Sequence, residues 1–115
     1  MRSSISFVRG SVVLVNVRFS DDSGIKRRPA VIVSVDSFHE SRADALIVPL
    51  TSRLSTLRFG DYLLQDWDAA GLPRASMAKG LMETVERATF GPMLGTLTPR
   101  DLAGIEHSMR NILGI

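Results

Sequence analysis

Three apolar runs of four to six residues dominate the first half of the chain: Val12-Val13-Leu14-Val15, Ala30-Val31-Ile32-Val33 and Ala45-Leu46-Ile47-Val48-Pro49-Leu50. They are β-branched and nearly continuous in apolar character, the pattern of short strands covered on both faces. Pro29 opens the second run and fixes the backbone directly after Lys26-Arg27-Arg28, so the Arg28 guanidinium is held at the rim of a rigid sheet. The third run ends in Thr51-Ser52-Arg53. If the two runs pair, a hydroxyl and further cations gather near that rim, a combination suited to a phosphodiester. Ordinary solvated strand-end charge is the competing reading for Arg27 and Arg28.

The rest of the chain frames these runs. Val12–Val15 reads as a first strand bounded by Gly10 and by Ser20-Asp21-Asp22-Ser23-Gly24, turn residues with no apolar anchor, which predict a long mobile hairpin loop. Residues 29–35 and 45–51 are the next strands, and Asp36 to Asp44 is a polar connection between them. Phe59-Gly60-Asp61 turns into a short strand at Tyr62-Leu63-Leu64, and Asp66 is placed to cap a one-turn helix over Trp67–Ala70 that Gly71 ends. Ser76 to Val85 holds one or two strands and Met93-Leu94-Gly95 a last short one. Thr98, Pro99 and Asp101 then form an N-cap, a first-turn proline and a capping-box-like acid. Leu102, Ile105, Met109, Ile112 and Leu113 recur on one helical face, and Gly114 stops the helix. The expectation is a mainly β (α+β) fold, a small twisted sheet or partial barrel closed on one side by a C-terminal helix, forming a single domain over 1–115.

Composition limits the function classes. The 44% hydrophobic and 23% charged content describes a globular chain rather than a disordered one. There is no cysteine, which removes disulfides and thiolate metal sites and fits a reducing compartment. Neither a signal-peptide core near Met1–Gly10 nor an apolar run of the ~18 residues a membrane span needs is present, so the expected location is cytoplasmic with no membrane partner. Residues 1–60 carry nine Lys/Arg against five Asp/Glu, a balance of +4, whereas 61–115 carry five against seven, −2. Twelve of the 14 cations are arginine, the side chain that grips phosphate with a planar fork.

Other residues with chemical potential weigh less. His39 titrates near neutrality but falls in the polar connection, where a solvated loop histidine is the plainer reading. His107 lies off the strict apolar face of the last helix, as a surface or dimer-contact residue. Asp66 and Asp68 form a nominal carboxylate pair, yet capping explains Asp66 without chemistry. Trp67 and Tyr62 have faces on which unpaired bases can stack, but Trp67 closing the barrel beneath the short helix is the favoured reading. With no His/Asp/Glu cluster at ligand spacing, no metal or other cofactor is expected.

The ordered blocks resemble a known family. Arg9-Gly10-Ser11-Val12-Val13-Leu14-Val15, Lys26-Arg27-Arg28-Pro29-Ala30-Val31-Ile32-Val33 and Leu50-Thr51-Ser52-Arg53 are similar to the three N-terminal blocks of the MazF/PemK-type toxins. Gly60-Asp61-Tyr62-Leu63-Leu64 with Asp66-Trp67, Ala70-Gly71-Leu72 and Ser76 resembles the PemK-like branch, as does the closing Ile112-Leu113-Gly114-Ile115. The resemblance implies an SH3-like, CcdB-like β-barrel with a C-terminal helix, usually a homodimer. It implies the toxin of a type II toxin–antitoxin pair, cutting single-stranded RNA (mRNA) without metal by the route that leaves a cyclic phosphate, and neutralised by a cognate antitoxin. Carried onto this chain, Arg28 before the proline and Thr51 ending the third strand are the catalytic residues. Lys26, Arg27, Ser52, Arg53 and Lys79, the last at a Ser-x-x-basic spacing from Ser76, are RNA-binding. The segment Phe19–Arg27, with Gly24 as pivot, is expected to order on RNA. Two departures stand out: Ser11 replaces the usual acid of the first block, and Glu83 precedes Thr84 where an arginine is frequent.

Internal RNA cleavage needs a deprotonated 2′-hydroxyl, a protonated leaving 5′-oxygen and stabilised charge on the non-bridging oxygens. A guanidinium serves the last need and is a poor base, and Thr51 is a second donor to the phosphate. No residue presents itself as the general base. Against the ribonuclease stands a non-catalytic CcdB-like or SH3-like barrel that binds a protein partner.

Overall fold

The computed structural model describes residues 7–18 and 24–115. Its elements run β1 (Ser11–Arg18), β2 (Ile25–Ile32), α1 (Asp36–Ser41), β3 (Asp44–Thr51), β4 (Tyr62–Leu63), β5 (Met77–Ala78), β6 (Glu83–Glu86), β7 (Met93–Thr96) and α2 (Pro99–Leu113), with a 3₁₀ turn at Arg87–Thr89. The strands join in the order β4-β5-β3-β2-β1-β7, and every pairing is antiparallel. β3 has β2 on one side and two successive partners on the other. β5 meets its end at Leu50 and Thr51, and β6 meets its first half at Asp44–Ile47. That double partnership curls the sheet into a half-barrel with the C-terminal helix against it.

The apolar runs are covered on both faces, as their composition requires. Val12, Val31, Val48 and Leu50 face Leu64, Ala70, Leu72, Leu97 and Ile105 beneath α2 and the β4–β5 segment. Val13, Val15, Ala30, Ile32, Ala45 and Ile47 face the other way, against Phe7, Val85 and Phe90. Phe7 and Phe90 meet edge to face at 5.3 Å, a favoured aromatic geometry. Ser11, buried at the start of β1, takes the Val8 N–H on its hydroxyl at 3.1 Å, so it supplies the turn acceptor that an acid would supply.

The helix α2 begins and ends where its capping residues demand. The Thr98 hydroxyl accepts the Asp101 N–H, Pro99 occupies the first turn, and Gly114 closes the last turn at φ 75°. Leu102, Ile105 and Met109 pack on the core. Ile112 lies against Gly60 at the margin of the core and is 38% exposed, while Leu113, beyond it, is 56% exposed. Asp101 is fully buried and accepts the Tyr62 hydroxyl at 2.8 Å and the N–H groups of Gln65 and Asp66 at 2.9 and 2.8 Å. The Tyr62 ring lies so close to the helix that a Cβ on Gly104 would overlap it.

Three local expectations are corrected. β2 starts at Ile25, so Lys26 and Arg27 are strand residues rather than part of a loop; residues 19–23 of that loop lie outside the described residues. Asp36–Ser41 is a helix, not an irregular connection. Asp66 caps no helix, since Trp67–Ala70 is a turn. Its carboxylate instead accepts the Thr98 hydroxyl at 2.7 Å and a two-pronged contact from Arg100 at 2.6 and 3.2 Å. Trp67 packs half-buried against the helix-side core, as the plainer reading of it required.

Candidate active site

Strand alternation sorts the basic cluster. Arg28 opposes Val15 on β1 and Arg27 opposes Asn16, and successive strand residues point to opposite faces. Lys26 and Arg28 therefore share the face of Ala30 and Ile32, while Arg27 is on the face of Pro29 and Val31. The Arg27 guanidinium rests against Gly91, where a Cβ would sit 2.9 Å from its Nη1, next to Leu14. The three cations are neighbours in sequence but serve two surfaces.

On β3, Ala30 pairs with Pro49, Val31 with Val48 and Ile32 with Ile47. Continuing that register outwards by two residues sets Thr51 opposite Arg28, and Thr51 in turn pairs with Met77 of β5. One row across the sheet thus reads Val15, Arg28, Thr51, Met77, with its two outer members buried, Arg28 exposed and Thr51 half-buried. The Thr51 Oγ1 accepts the Arg53 N–H at 3.1 Å. One lone pair of the hydroxyl is thereby occupied, which leaves its proton to donate outwards. Ser52 and Arg53 are exposed on the chain leaving this rim. Lys79 is placed differently: its N–H donates to the Pro49 carbonyl at 2.9 Å, and it lines a shallow depression with Tyr62, Ile105 and Met109 under α2.

Glu83 pairs with Ile47, and Ile47, Pro49 and Thr51 alternate onto one face of β3. The acid therefore stands on the same sheet face as Arg28 and Thr51, half-buried at the β6 edge.

The histidines occupy neither the rim nor its surroundings. His39 is not solvated: it is 8% exposed on α1, and its Nε2 lies 2.6 Å from the Ser34 hydroxyl. Burial, then the Arg87 charge, lowers its pKa below the ordinary 6.5, with Asp36 opposing. Arg87 donates to the His39 and Arg42 carbonyls, which holds α1 to the end of β6. Ser34, His39 and Asp36 mimic a triad, yet the buried Ser34 hydroxyl already takes the Leu46 N–H at 3.0 Å and Asp36 stands 3.9 Å from the ring. Ser34 is also six residues along the chain from Arg28, roughly 20 Å of extended backbone. His107 is exposed on α2, and Asp68 caps the Ala69 N–H at 2.9 Å. Tyr62 is pushed up to about 12 by burial and by its bond to Asp101, and Asp66 is lowered by the hydrogen bonds from Arg100 and Thr98. Sequence pattern did not reveal this polar knot, because its members meet only when α2 docks. Among the described residues, no His/Asp/Glu group is gathered as for a metal ion, and no helix is long and apolar enough to cross a membrane.

Comparison with solved structures returns this half-barrel. An endoribonuclease in complex with its cognate antitoxin, from a mycobacterial species, superposes with a TM-score of 0.76 at 24% identity, over 96% of this chain and 97% of that one. MazF in a MazE–MazF complex from Deinococcus radiodurans gives 0.74 at 20% identity, over 94% and 96%. A MazF toxin from Mycobacterium tuberculosis gives 0.73 at 15% identity, over 91% and 97%. Comparison with curated protein sequences gives no match. The sequence profile of the PemK-like, MazF-like toxins of type II toxin–antitoxin systems matches residues 8–113, and the chain belongs to that family.

Proposed function

We propose that the protein is a metal-independent, sequence-specific endoribonuclease of single-stranded RNA, a toxin that blocks translation until an antitoxin covers it. The observation that supports this is the β2–β3 register, whose last pair is Ala30 with Pro49; extended by two residues, it brings Arg28 opposite Thr51 at an exposed strand end. Residues directly opposite on antiparallel strands have Cβ atoms about 4.5–5.5 Å apart, a gap that one phosphodiester spans. The RNA 2′-hydroxyl gives up its proton to water as its oxygen attacks the adjacent phosphorus, the bond to the 5′-oxygen breaks, that oxygen leaves as a hydroxyl with a proton from water, and a 2′,3′-cyclic phosphate remains. Arg28 stabilises the non-bridging oxygens, where the negative charge builds up, through two parallel hydrogen bonds. Thr51, with its acceptor side held by the Arg53 N–H, donates to the same phosphate. Lys26, Ser52 and Arg53 attract and seat the strand. Arg27 and Lys79 lie on other surfaces and contribute longer-range attraction.

Solved relatives named as complexes with antitoxin support a protein inhibitor of the same kind here. The uncovered apolar end of α2, with Ile112, Leu113 and Ile115 exposed, supports a homodimer. A barrel that only binds a partner has no need of an arginine and a threonine in one row.

The test is cleavage of a mixed-sequence RNA by the purified protein in EDTA, with Arg28→Ala compared at equal concentration. The expected loss is about 10²–10³-fold in rate, the usual effect of removing one charge-stabilising donor. Near-normal cleavage by Arg28→Ala with an unchanged circular dichroism spectrum removes Arg28 from the mechanism. Cleavage that appears only with added divalent ion overturns the metal-free route.

A further inference from the structure

We infer that the helix-side face of the β1–β2 hairpin, centred on Arg27, docks an extended acidic peptide of the inhibitor, an inference that rests on the reading above that an antitoxin covers this toxin. On that face the strand pairs run Val12 with Val31, Leu14 with Pro29 and Asn16 with Arg27. The first pair is buried, the second half-buried and the third exposed, so an apolar step leads out to a guanidinium. That guanidinium is already placed. It rests against Gly91, where a Cβ would meet its Nη1 at 2.9 Å and the Leu14 Cβ at 3.3 Å. Among the described residues Arg27 makes no hydrogen bond or ion pair. Its donors are therefore open to a partner, and the Gly91 contact limits the side-chain freedom that binding would cost.

The surroundings select a peptide over a nucleic acid. Leu14 and Pro29 are aliphatic, and neither row holds an aromatic ring on which an unpaired base would stack. Arg28 addresses the opposite face. A carboxylate meets the planar fork of Arg27 through two parallel hydrogen bonds. The exposed Asn16 amide both donates and accepts, as a peptide backbone requires. Spacing completes the match. Rows two residues apart on one strand face are about 7 Å apart, and side chains i and i+2 of an extended peptide repeat at the same distance. The pattern that fits is an aliphatic residue over Leu14 and Pro29, one spacer, and an Asp or Glu on Arg27. RNA held at the rim makes no such pair of contacts, so this face favours the inhibitor over the substrate.

The probes are short synthetic peptides, capped at both ends, in three forms: Leu and Glu two apart, Leu and Glu adjacent, and Leu with Gln in place of Glu. Their binding is measured by fluorescence anisotropy beside that of a non-cleavable RNA. The wild-type protein is expected to bind the first peptide about tenfold or more tighter than the other two, the worth of a hydrogen-bonded charge contact. Arg27→Ala is expected to lose about the same factor. Gly91→Ala displaces the guanidinium without removing its charge, so peptide affinity should fall about threefold or more. RNA affinity in that variant should stay within about twofold, since the number of cations is unchanged. Circular dichroism confirms that both variants fold. Equal affinity for the three peptides, or unchanged peptide binding in both variants, overturns the inference. Equal losses of peptide and RNA in Gly91→Ala assign Arg27 to RNA instead. Peptide binding lost in Arg28→Ala but kept in Arg27→Ala and Gly91→Ala puts the acidic segment on the RNA rim, which overturns this inference and leaves the antitoxin reading intact. No binding of any peptide also overturns it, while RNA cleavage, measured separately, decides the ribonuclease reading on its own.

Discussion

Arg28 and Arg27 differ by one position, and the sheet turns that one position into opposite fates. Arg28→Lys should retain little activity, because a point charge cannot reproduce the planar fork across two oxygens. Arg27→Ala, by contrast, should keep kcat within about tenfold and act mainly by weakening RNA binding, since that guanidinium is seated against Gly91 on the other face. Single-turnover cleavage beside an RNA-binding titration separates the two, and a large kcat loss in Arg27→Ala contradicts the division. His39 makes a second residue-scale prediction. Its folded pKa is depressed below 6.5, so its neutral form contributes stability above that value, and the contribution is lost as pH falls towards the folded pKa. Urea unfolding should therefore show a loss on going from about pH 7 to about pH 5 that is smaller in His39→Gln. The strand positions of Arg28 and Thr51 are legible in the sequence because a proline and two apolar runs fix their strands. The burial of His39 is not, because it depends on Ser34 and on Arg87, 48 residues further along the chain.

Among the elements, α2 was readable to the residue and α1 was not, for physical reasons. Thr98, Pro99 and Gly114 announce both ends of α2 through side-chain and backbone preferences that need no tertiary contact. α1 is six residues long, its N-cap position Val35 makes no side-chain cap, and His39 is its one buried residue, so neither capping nor periodicity marks it. The early start of β2 has no local signal either, since Lys26–Arg28 has the composition of a loop and becomes strand only by pairing with β1. What fixes α2 to the sheet is the buried Asp101 carboxylate. Asp101→Ala leaves the Tyr62 hydroxyl and two backbone N–H groups without their acceptor. It should cost about 3 kcal/mol or more, read as a fall in Tm of about 10 °C or more. Tyr62 carries a pH signature of its own. Its folded pKa is raised to about 12 from 10.0, so its stabilising effect is complete below pH 10 and lost as pH rises towards 12. Tyr62→Phe should be less stable at neutral pH, and its alkaline unfolding should lack that component. An identical alkaline profile in both proteins would place the strain elsewhere.

At the scale of the whole molecule, charge is divided along the chain: +4 over residues 1–60 and −2 over 61–115. On the proposed reading, the rim bearing Lys26, Arg28 and Arg53 attracts a flexible polyanion, whether RNA or an acidic tail that folds on binding. A non-cleavable RNA and an antitoxin tail should compete for it, and RNA affinity should fall with salt by a log–log slope of about −0.7 per phosphate neutralised. Simultaneous binding of both to one protein molecule, without loss of affinity for either, moves the inhibitor to another surface, with the end of α2 the first to test. The Asp101 knot carries a consequence in time. The groups it joins to Asp101 on α2 are Tyr62, Gln65 and Asp66, 39, 36 and 35 residues earlier in the chain. A growing polypeptide leaves the ribosome with its N-terminal part first, at about 5–20 residues per second. The rim of Arg28 and Thr51 is therefore synthesised well before the helix that completes the core beneath it. Until residues 99–113 have emerged, Val48, Leu50 and Ala78 lack the cover of Leu102, Ile105 and Met109 and the sheet is not yet held rigid. If Arg28 and Thr51 carry the proposed cleavage, activity has to wait for release of the last helix.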